Sequence, residues 1–434
     1  MRLKDVLEID FFILFSVMIL MVIGIVFIYS SGTVTSRQYI YQIIFASSGF
    51  ILVLIMSMLN YGRLYNISLY IYLIALIPLV CTLIFGPSVS GARRWLRLGP
   101  VGIQPSEFIK ITTIIFLARF LTDTRRAGKS FIRFIGSCLI VLVPVGIIII
   151  QPDLGTAIVF LPILIMMLYI SGISKRYIIF PVSCLLLVVS LLLLHIWNIY
   201  INRDPISFIN ILTNPVIVLI VILFFFVIGI IAMIGYLKYR KPYFFWMMYS
   251  FAIIILSLGA SFLIYRFLNS YQIDRLKVFM NPGMDVHGIG WHTIQSTTAI
   301  GAGGFLGKGF MQGTLSQNQY LPQRSTDFIF SIFSEEAGFI GGIAVFVLFL
   351  IIILRILRIM KITNDPFAEY ICAGLAGMYI FHFLINVGMA MGIMPITGIP
   401  LSFMSFGGSA LISALLGIGL IQSIYIRRYT HQVI

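Results

Sequence analysis

The sequence predicts an all-α, polytopic membrane protein: a single bundle of about twelve transmembrane helices over residues 1–434. Three observations carry this. Hydrophobic residues make up 60% of the chain and charged residues 10%, against about 25% charged in a soluble globular domain. Apolar stretches of span length, roughly 20 residues, recur from one end to the other. Lys and Arg divide unequally between alternate loops.

The first apolar run, 11–30, follows a start that mixes Arg2 and Lys4 with Asp5, Glu8 and Asp10. No small-residue cleavage site follows it, so it reads as an uncleaved helix and not a signal peptide. Further spans are expected at 39–59, 65–85, 106–122, 131–150, 154–173, 177–198, 213–237, 243–267, 327–354, 368–393 and 407–426. An even number places both termini on one side. With the N- and C-termini cytoplasmic, eighteen of the 29 Lys and Arg fall inside and ten outside, and Lys110 lies within a span. That excess follows the positive-inside rule and puts the chain in the cytoplasmic (inner) membrane. The net charge of +15 is then largely topogenic and faces anionic membrane lipids; it requires no nucleic acid.

The outside charges are clustered. Arg93, Arg94 and Arg97 crowd beside Trp95, and Arg275, Lys277, Lys308 and Arg324 share a large, glycine-rich extracytoplasmic loop at 268–326. Positive charge kept on the translocated side points to an anionic ligand there, or to anchoring on lipid headgroups. The four cysteines (Cys81, Cys138, Cys184, Cys372) fall inside apolar runs, so neither disulfides nor metal spacing is expected. His287 and His292 lack a nearby Cys, which argues against zinc.

Fourteen acids are few enough to place individually. Five lie at or inside membrane helices: Glu107, Asp153, Asp327, Glu335 and Glu336. A carboxylate at mid-membrane costs about 2.5–3.5 kcal/mol or more, so each is a functional candidate. Glu107 sits in the first turn behind Pro105, three residues before Lys110 on the same face. A structural ion pair and a functional role both fit it. Asp153, in Gln151-Pro152-Asp153, is a second helix start that complements its helix dipole. Asp327 begins the helix that leaves the large loop and reads as a first-turn acid or a catalytic one. Glu335, eight residues on, shares nearly the same face about 12 Å deeper; it and Glu336 suit holding helices together.

The run Gly301-Ala302-Gly303-Gly304-Phe305-Leu306-Gly307-Lys308-Gly309 superficially suggests a nucleotide loop. Ala302 and Gly309 break the phosphate-loop spacing, Leu306 breaks the dinucleotide one, and no βαβ unit surrounds it. Its glycines suit a tight fold or backbone amides approaching a substrate.

Taken together, the motifs resemble the SEDS family (shape, elongation, division and sporulation) of membrane peptidoglycan glycosyltransferases. The resemblance rests on Gly91-Ala92-Arg93-Arg94-Trp95, Gln104-Pro105-Ser106-Glu107 with Lys110, Gln151 to Ala157, Asn281-Pro282 and Gln295-Ser296. It continues through Gly301 to Gly309, Leu321-Pro322, Thr326-Asp327-Phe328-Ile329-Phe330, Glu335 to Gly338, Pro395 to Leu401 and Ser405 to Ser409. Gly307-Lys308-Gly309 with Gly313-Thr314 leans toward the elongation branch over the division branch. The chain departs from the usual pattern at Gln323, Ser325 and Ser402. Twelve spans against a usual ten make 198–242 a candidate insertion of extra spans.

The resemblance implies polymerisation of lipid II, an undecaprenyl-pyrophosphate disaccharide-pentapeptide, into β-1,4 glycan at the outer membrane face during cell elongation. It also implies a class B penicillin-binding protein, a transpeptidase, as complex partner. A sugar hydroxyl is a weak nucleophile and needs a positioned base, for which Asp327 is the choice. The leaving pyrophosphate gathers negative charge that cations stabilise; Arg93, Arg94, Arg275, Lys308 and Arg324 form that pool, unranked. Trp95, Glu107, Lys110, Asp153 and Gln295 complete the expected substrate-binding set. No cofactor is required outright, although hard oxygens at Asp327 and the pyrophosphate suit a magnesium or manganese ion. The rival reading is a flippase for lipid-linked precursors, with broken Gly/Pro segments such as 394–408. The absence of an inverted repeat, and acids gathered toward the outer mouth, favour a catalyst.

Overall fold

Asp10 opens the first helix by accepting from the Phe12 and Ile13 amides, as an N-cap should. The same buried residue bonds to Gln422 through its backbone and pairs with Arg355 at 2.6 Å. One acid thus ties the first helix to two of the last three. The computed structural model describes every residue except 1–8, 33–36, 89–91, 99–100, 127–128, 203, 205, 207–213, 269, 286–287, 315–324 and 430–434.

In chain order the helices are α1 (Phe11–Ser31), α2 (Gln38–Met58), α3 (Gly62–Phe85), α4 (Pro105–Asp123), α5 (Ser130–Ile150), α6 (Leu154–Ile170), α7 (Lys175–Tyr200), α8 (Pro215–Tyr239) and α9 (Pro242–Phe267). They continue with α10 (Ser270–Met280), α11 (Ile289–Ala302), α12 (Ile329–Ile362), α13 (Pro366–Ala390) and α14 (Gly408–Ile426). Ten of these are long and apolar enough to cross a membrane. The shorter α6 and the charge-bearing α4 occupy the other two positions expected from sequence. The protein is all-α and polytopic. A two-stranded hairpin, β1 (Leu96–Leu98) and β2 (Val101–Ile103), is antiparallel with Arg97 opposite Gly102.

Two differences from the sequence reading stand out. The 268–326 stretch is not all loop: α10 and α11 lie within it, α10 supported by an Asp274–Lys277 pair three residues apart at 3.0 Å. The helix expected to start at Asp327 starts at Ile329, with Asp327 in the preceding turn.

By packing, the chain forms two compact units, residues 1–173 with 295–434, and residues 174–294. In the first, α13 and α14 are buried on nearly all sides. Small residues make that possible. A Cβ on Gly374 would meet Ile114 at 2.8 Å, and one on Gly377 would meet the Pro162 carbonyl at 2.8 Å; such close approach is how membrane helices associate. In the second unit, α9 packs between α8 and α7.

Long α12 is broken inside the first unit. Gly338 has φ +67° and ψ −165°, which releases the helical bonds that Phe339 and Ile340 would make to Glu335 and Glu336. The 303–309 segment restores all four groups. Phe339 and Ile340 donate to the Gly304 and Phe305 carbonyls at 2.9 and 3.3 Å, while Lys308 and Gly309 donate to the Glu335 and Glu336 carbonyls at 3.0 Å each. Backbone polar groups cannot be left open at membrane depth. A Cβ at Gly307 would lie 2.1 Å from the Glu336 carbonyl, and one at Gly338 would lie 2.2 Å from the Gly307 nitrogen. Of the two sequence-level readings of these glycines, the tight fold explains Gly307.

Candidate active site

A cavity of about 610 Å³ opens in the first unit, and Asp327 is the one acid among the described residues that line it. Tyr41 and Phe45 from α2, Trp95 before β1, and Phe406 supply aromatic walls; Gln38, Gln104 and Thr326 add polar groups. Pro400, Gly398, Gly407 and Gly408 bring backbone close to the space. Mostly apolar walls with a few converging polar groups are what a binding site requires.

Local structure fixes each part. Trp95 is set by the hairpin: on Gly102, a Cβ would stand 3.2 Å from the indole ring, so the glycine leaves the ring its place. Asp327 is set by its backbone, because the buried Asn386 amide donates to the Asp327 carbonyl at 3.0 Å and to the Ile399 carbonyl at 2.8 Å. Gly398, φ +74°, lies alongside: a Cβ there would make ordinary van der Waals contact, 3.7 Å, with Asp327 Oδ2. The irregular 391–407 stretch is held from α2 by Gln42, which donates to the Ser405 carbonyl at 3.0 Å. It is held from the other side by Phe406, whose amide donates to the Ser325 carbonyl at 2.8 Å.

The other sequence-assigned residues distribute around this cavity unequally. Asp153 is buried and caps α6 through Thr156, at 3.3 Å to the amide and 2.8 Å to the hydroxyl. It also pairs with Arg94 at 3.6 Å and accepts from Gln104 at 3.2 Å. Gln104 lines the cavity, so Asp153 reaches it through that side chain and Arg94 only by way of Asp153. Arg93 is exposed and donates to the Leu83 carbonyl at 3.2 Å. Glu107 and Lys110 form a fully buried pair at 2.9 Å. Lys110 also lies 3.3 Å from His382 Nε2. They line a separate chamber of about 10 Å³ that shares Pro400 and Ala410 with the cavity.

Lys308 is committed elsewhere: it pairs with the buried Glu335 at 2.8 Å and donates to Thr314 at 2.8 Å. Glu336 accepts from the Ser30 hydroxyl at 2.6 Å and the Met311 amide at 3.0 Å. Both acids join elements, as their depth suggested. Gln295 is half-buried on α11. Arg275 lies on α10 in the other unit, and Arg324 and His287 lie outside the described residues. Sequence reasoning missed Gln38, Tyr41, Phe45, Gln42, His382 and Asn386. The signal for the last three was a lone polar side chain inside an apolar run.

Residues 10–217 and 206–430 match the family model for FtsW, RodA and SpoVE, described as cell cycle protein. The peptidoglycan glycosyltransferase RodA of Treponema pallidum (strain Nichols) is 41% identical over 434 residues, covering 99% of this chain and 100% of that protein. The peptidoglycan glycosyltransferase MrdB of Escherichia coli (strain K12) is 29% identical over 360 residues, 83% of this chain and 78% of that one. Among solved structures, a chain of a peptidoglycan synthase complex that coordinates polymerization and crosslinking superposes with a TM-score of 0.70 at 24% identity, covering 97% of this chain and 99% of its own. Thermus thermophilus rod shape determining protein RodA gives 0.60 at 21% identity, with 97% and 98% covered.

Proposed function

We propose that this chain, which belongs to the FtsW/RodA/SpoVE family of cell cycle proteins, is a peptidoglycan glycosyltransferase that polymerises lipid II at the outer face of the cytoplasmic membrane. One observation carries the reading: Asp327 enters a roomy, aromatic-walled cavity as the one carboxylate among the described residues that line it. The acceptor sugar hydroxyl gives its proton to Asp327 as its oxygen attacks the donor's anomeric carbon. The bond to pyrophosphate breaks, the anomeric centre inverts, and an α-linked donor becomes a β-1,4-linked product.

Charge on the departing pyrophosphate needs cations. Among the described residues, Arg94 is coupled to the cavity through Asp153 and Gln104. Arg93 is exposed beside it, and Arg324 precedes Asp327 by three residues. Lys308, bonded into the α12 break, acts on shape instead. Tyr41, Phe45, Trp95 and Phe406 suit the sugar faces and the start of the polyprenyl chain.

Magnesium keeps several waters and binds through one or two carboxylates plus substrate phosphates. Among the described residues no group of three or more His, Cys, Asp or Glu converges. Of the described residues lining the cavity, Asp327 would hold such an ion, with the pyrophosphate supplying other ligands. The ion would neutralise developing charge.

Transport is the poorer fit. The polar chamber at Glu107 and Lys110 has about 10 Å³, room for roughly one water and none for a disaccharide. The partner expected is a class B penicillin-binding protein. Purified protein given labelled lipid II, alone and with that partner, should make glycan polymer; none from a folded complex would defeat the proposal.

A further inference from the structure

The second unit holds a pocket that the proposed reaction leaves unused. Between α7 and α9 lies a cavity of about 90 Å³ lined by Leu191, Leu192, His195, Phe262, Tyr265 and Arg266, among others. His195 is 5% exposed, and neither ring nitrogen has a hydrogen-bond partner among the described residues. Its ring meets Tyr265 edge-on, with centroids 4.2 Å apart. Buried polar atoms are almost always satisfied, so this imidazole is poised for a group that enters the pocket.

The walls say what kind of group. Leu191 and Leu192 sit one turn before His195 on α7, and Phe262 sits one turn before Arg266 on α9. Apart from Ser261, whose hydroxyl is spent on the Leu258 carbonyl at 3.0 Å, the polar members therefore lie toward the helix ends at Tyr200 and Phe267, and the apolar members lie deeper. Arg266 is exposed, with its guanidinium 5.1 Å from the Phe262 ring centroid, and no carboxylate pairs with it among the described residues. Among the described residues no acid lines the pocket. A cation and an imidazole above an apolar floor match an anionic head on a hydrocarbon tail.

We propose that this pocket binds the phosphate headgroup of a membrane phospholipid. Arg266 and one His195 N–H donate to phosphate oxygens, and an acyl chain runs over Leu191, Leu192 and Phe262. Charge-assisted bonds from Arg to phosphate are the strong kind.

The test uses the full-length protein, delipidated in detergent and then given phosphatidylglycerol, with bound lipid counted by native mass spectrometry. The wild type should retain one lipid that Arg266→Gln and His195→Phe each hold about tenfold more weakly, while dioleoylglycerol, lacking phosphate, is not retained. Equal retention by wild type and variants, or equal retention of dioleoylglycerol, overturns the proposal. Displacement by inorganic phosphate alone would make the site one for a free anion and overturn the lipid assignment. Should His195→Phe fail to fold, Arg266→Gln, altered at an exposed side chain, decides the matter.

Discussion

The Asn386 side chain holds the backbone of Asp327: its amide donates at 3.0 Å to the Asp327 carbonyl and at 2.8 Å to that of Ile399. A residue on α13 thereby fixes both the turn that carries the acid and the irregular segment beside it.

Asn386→Leu removes both donated bonds. Each such loss costs roughly 1–3 kcal/mol, so the variant should unfold at lower temperature. Polymerisation should fall further than stability explains, because the acid's turn loosens. Measuring unfolding and lipid II turnover on the same preparation checks this; a destabilised variant with full turnover per folded molecule would refute the positioning role.

The break in α12 makes a graded prediction from three glycines. Gly338→Ala forces a side chain onto φ +67° and ψ −165° and into the Gly307 backbone; Gly307→Ala drives a methyl into the Glu336 carbonyl. Each should cost at least about 2 kcal/mol. Gly304 also has positive φ, +57°, yet a Cβ there meets nothing within 4 Å, so Gly304→Ala should cost only about 1 kcal/mol. Thermal unfolding of the three variants in one detergent ranks them, and equal losses would contradict the interlock.

How much of this was legible beforehand differs by feature. The spans were, because length and hydropathy alone dictate them: 131–150 was expected and Ser130–Ile150 is found. Asp327, Trp95 and Arg94 were legible through motifs. The break at Gly338 was not, since a glycine inside an apolar run does not announce a positive φ. Nor was the α2 wall of the cavity, because which face Tyr41 and Phe45 present depends on packing against the 398–410 segment. The α10 and α11 helices were hidden in a stretch whose glycines and charges read as loop.

Glu107 and Lys110 are both almost wholly buried, so removing one partner strands the other's charge. Glu107→Ala and Lys110→Ala should each cost roughly 3–5 kcal/mol and lower folded yield. The double change Glu107→Leu with Lys110→Met should recover much of that stability, as apolar replacement of a buried pair often does. If activity also returns, the pair is structural. Recovered folding without activity would instead assign the pair to the reaction.

Orientation can be tested at an exposed position of the segment before α12. Gln312 is exposed, and the four native cysteines are free thiols that can be replaced. A single Cys at Gln312 in that background should react with a membrane-impermeant maleimide in whole spheroplasts. Labelling only after lysis would place this segment in the cytoplasm and remove the substrate from Asp327.

Asp327 decides the mechanism. Asp327→Asn keeps the side chain's size and the backbone carbonyl that Asn386 holds, while removing the base. Folding and partner assembly should persist, and polymerisation should fall by about 10²-fold or more, the usual contribution of general-base assistance. Asp327→Glu carries the carboxylate one methylene further and should also be poor, because a general base must stay within about 3 Å of the hydroxyl it deprotonates. Glu336→Gln is the contrast: that acid accepts from Ser30 and the Met311 amide, so its loss should lower stability first and turnover per folded molecule little. Near-normal glycan synthesis by a well-folded Asp327→Asn protein would remove the base assigned here and return a carrier role to consideration.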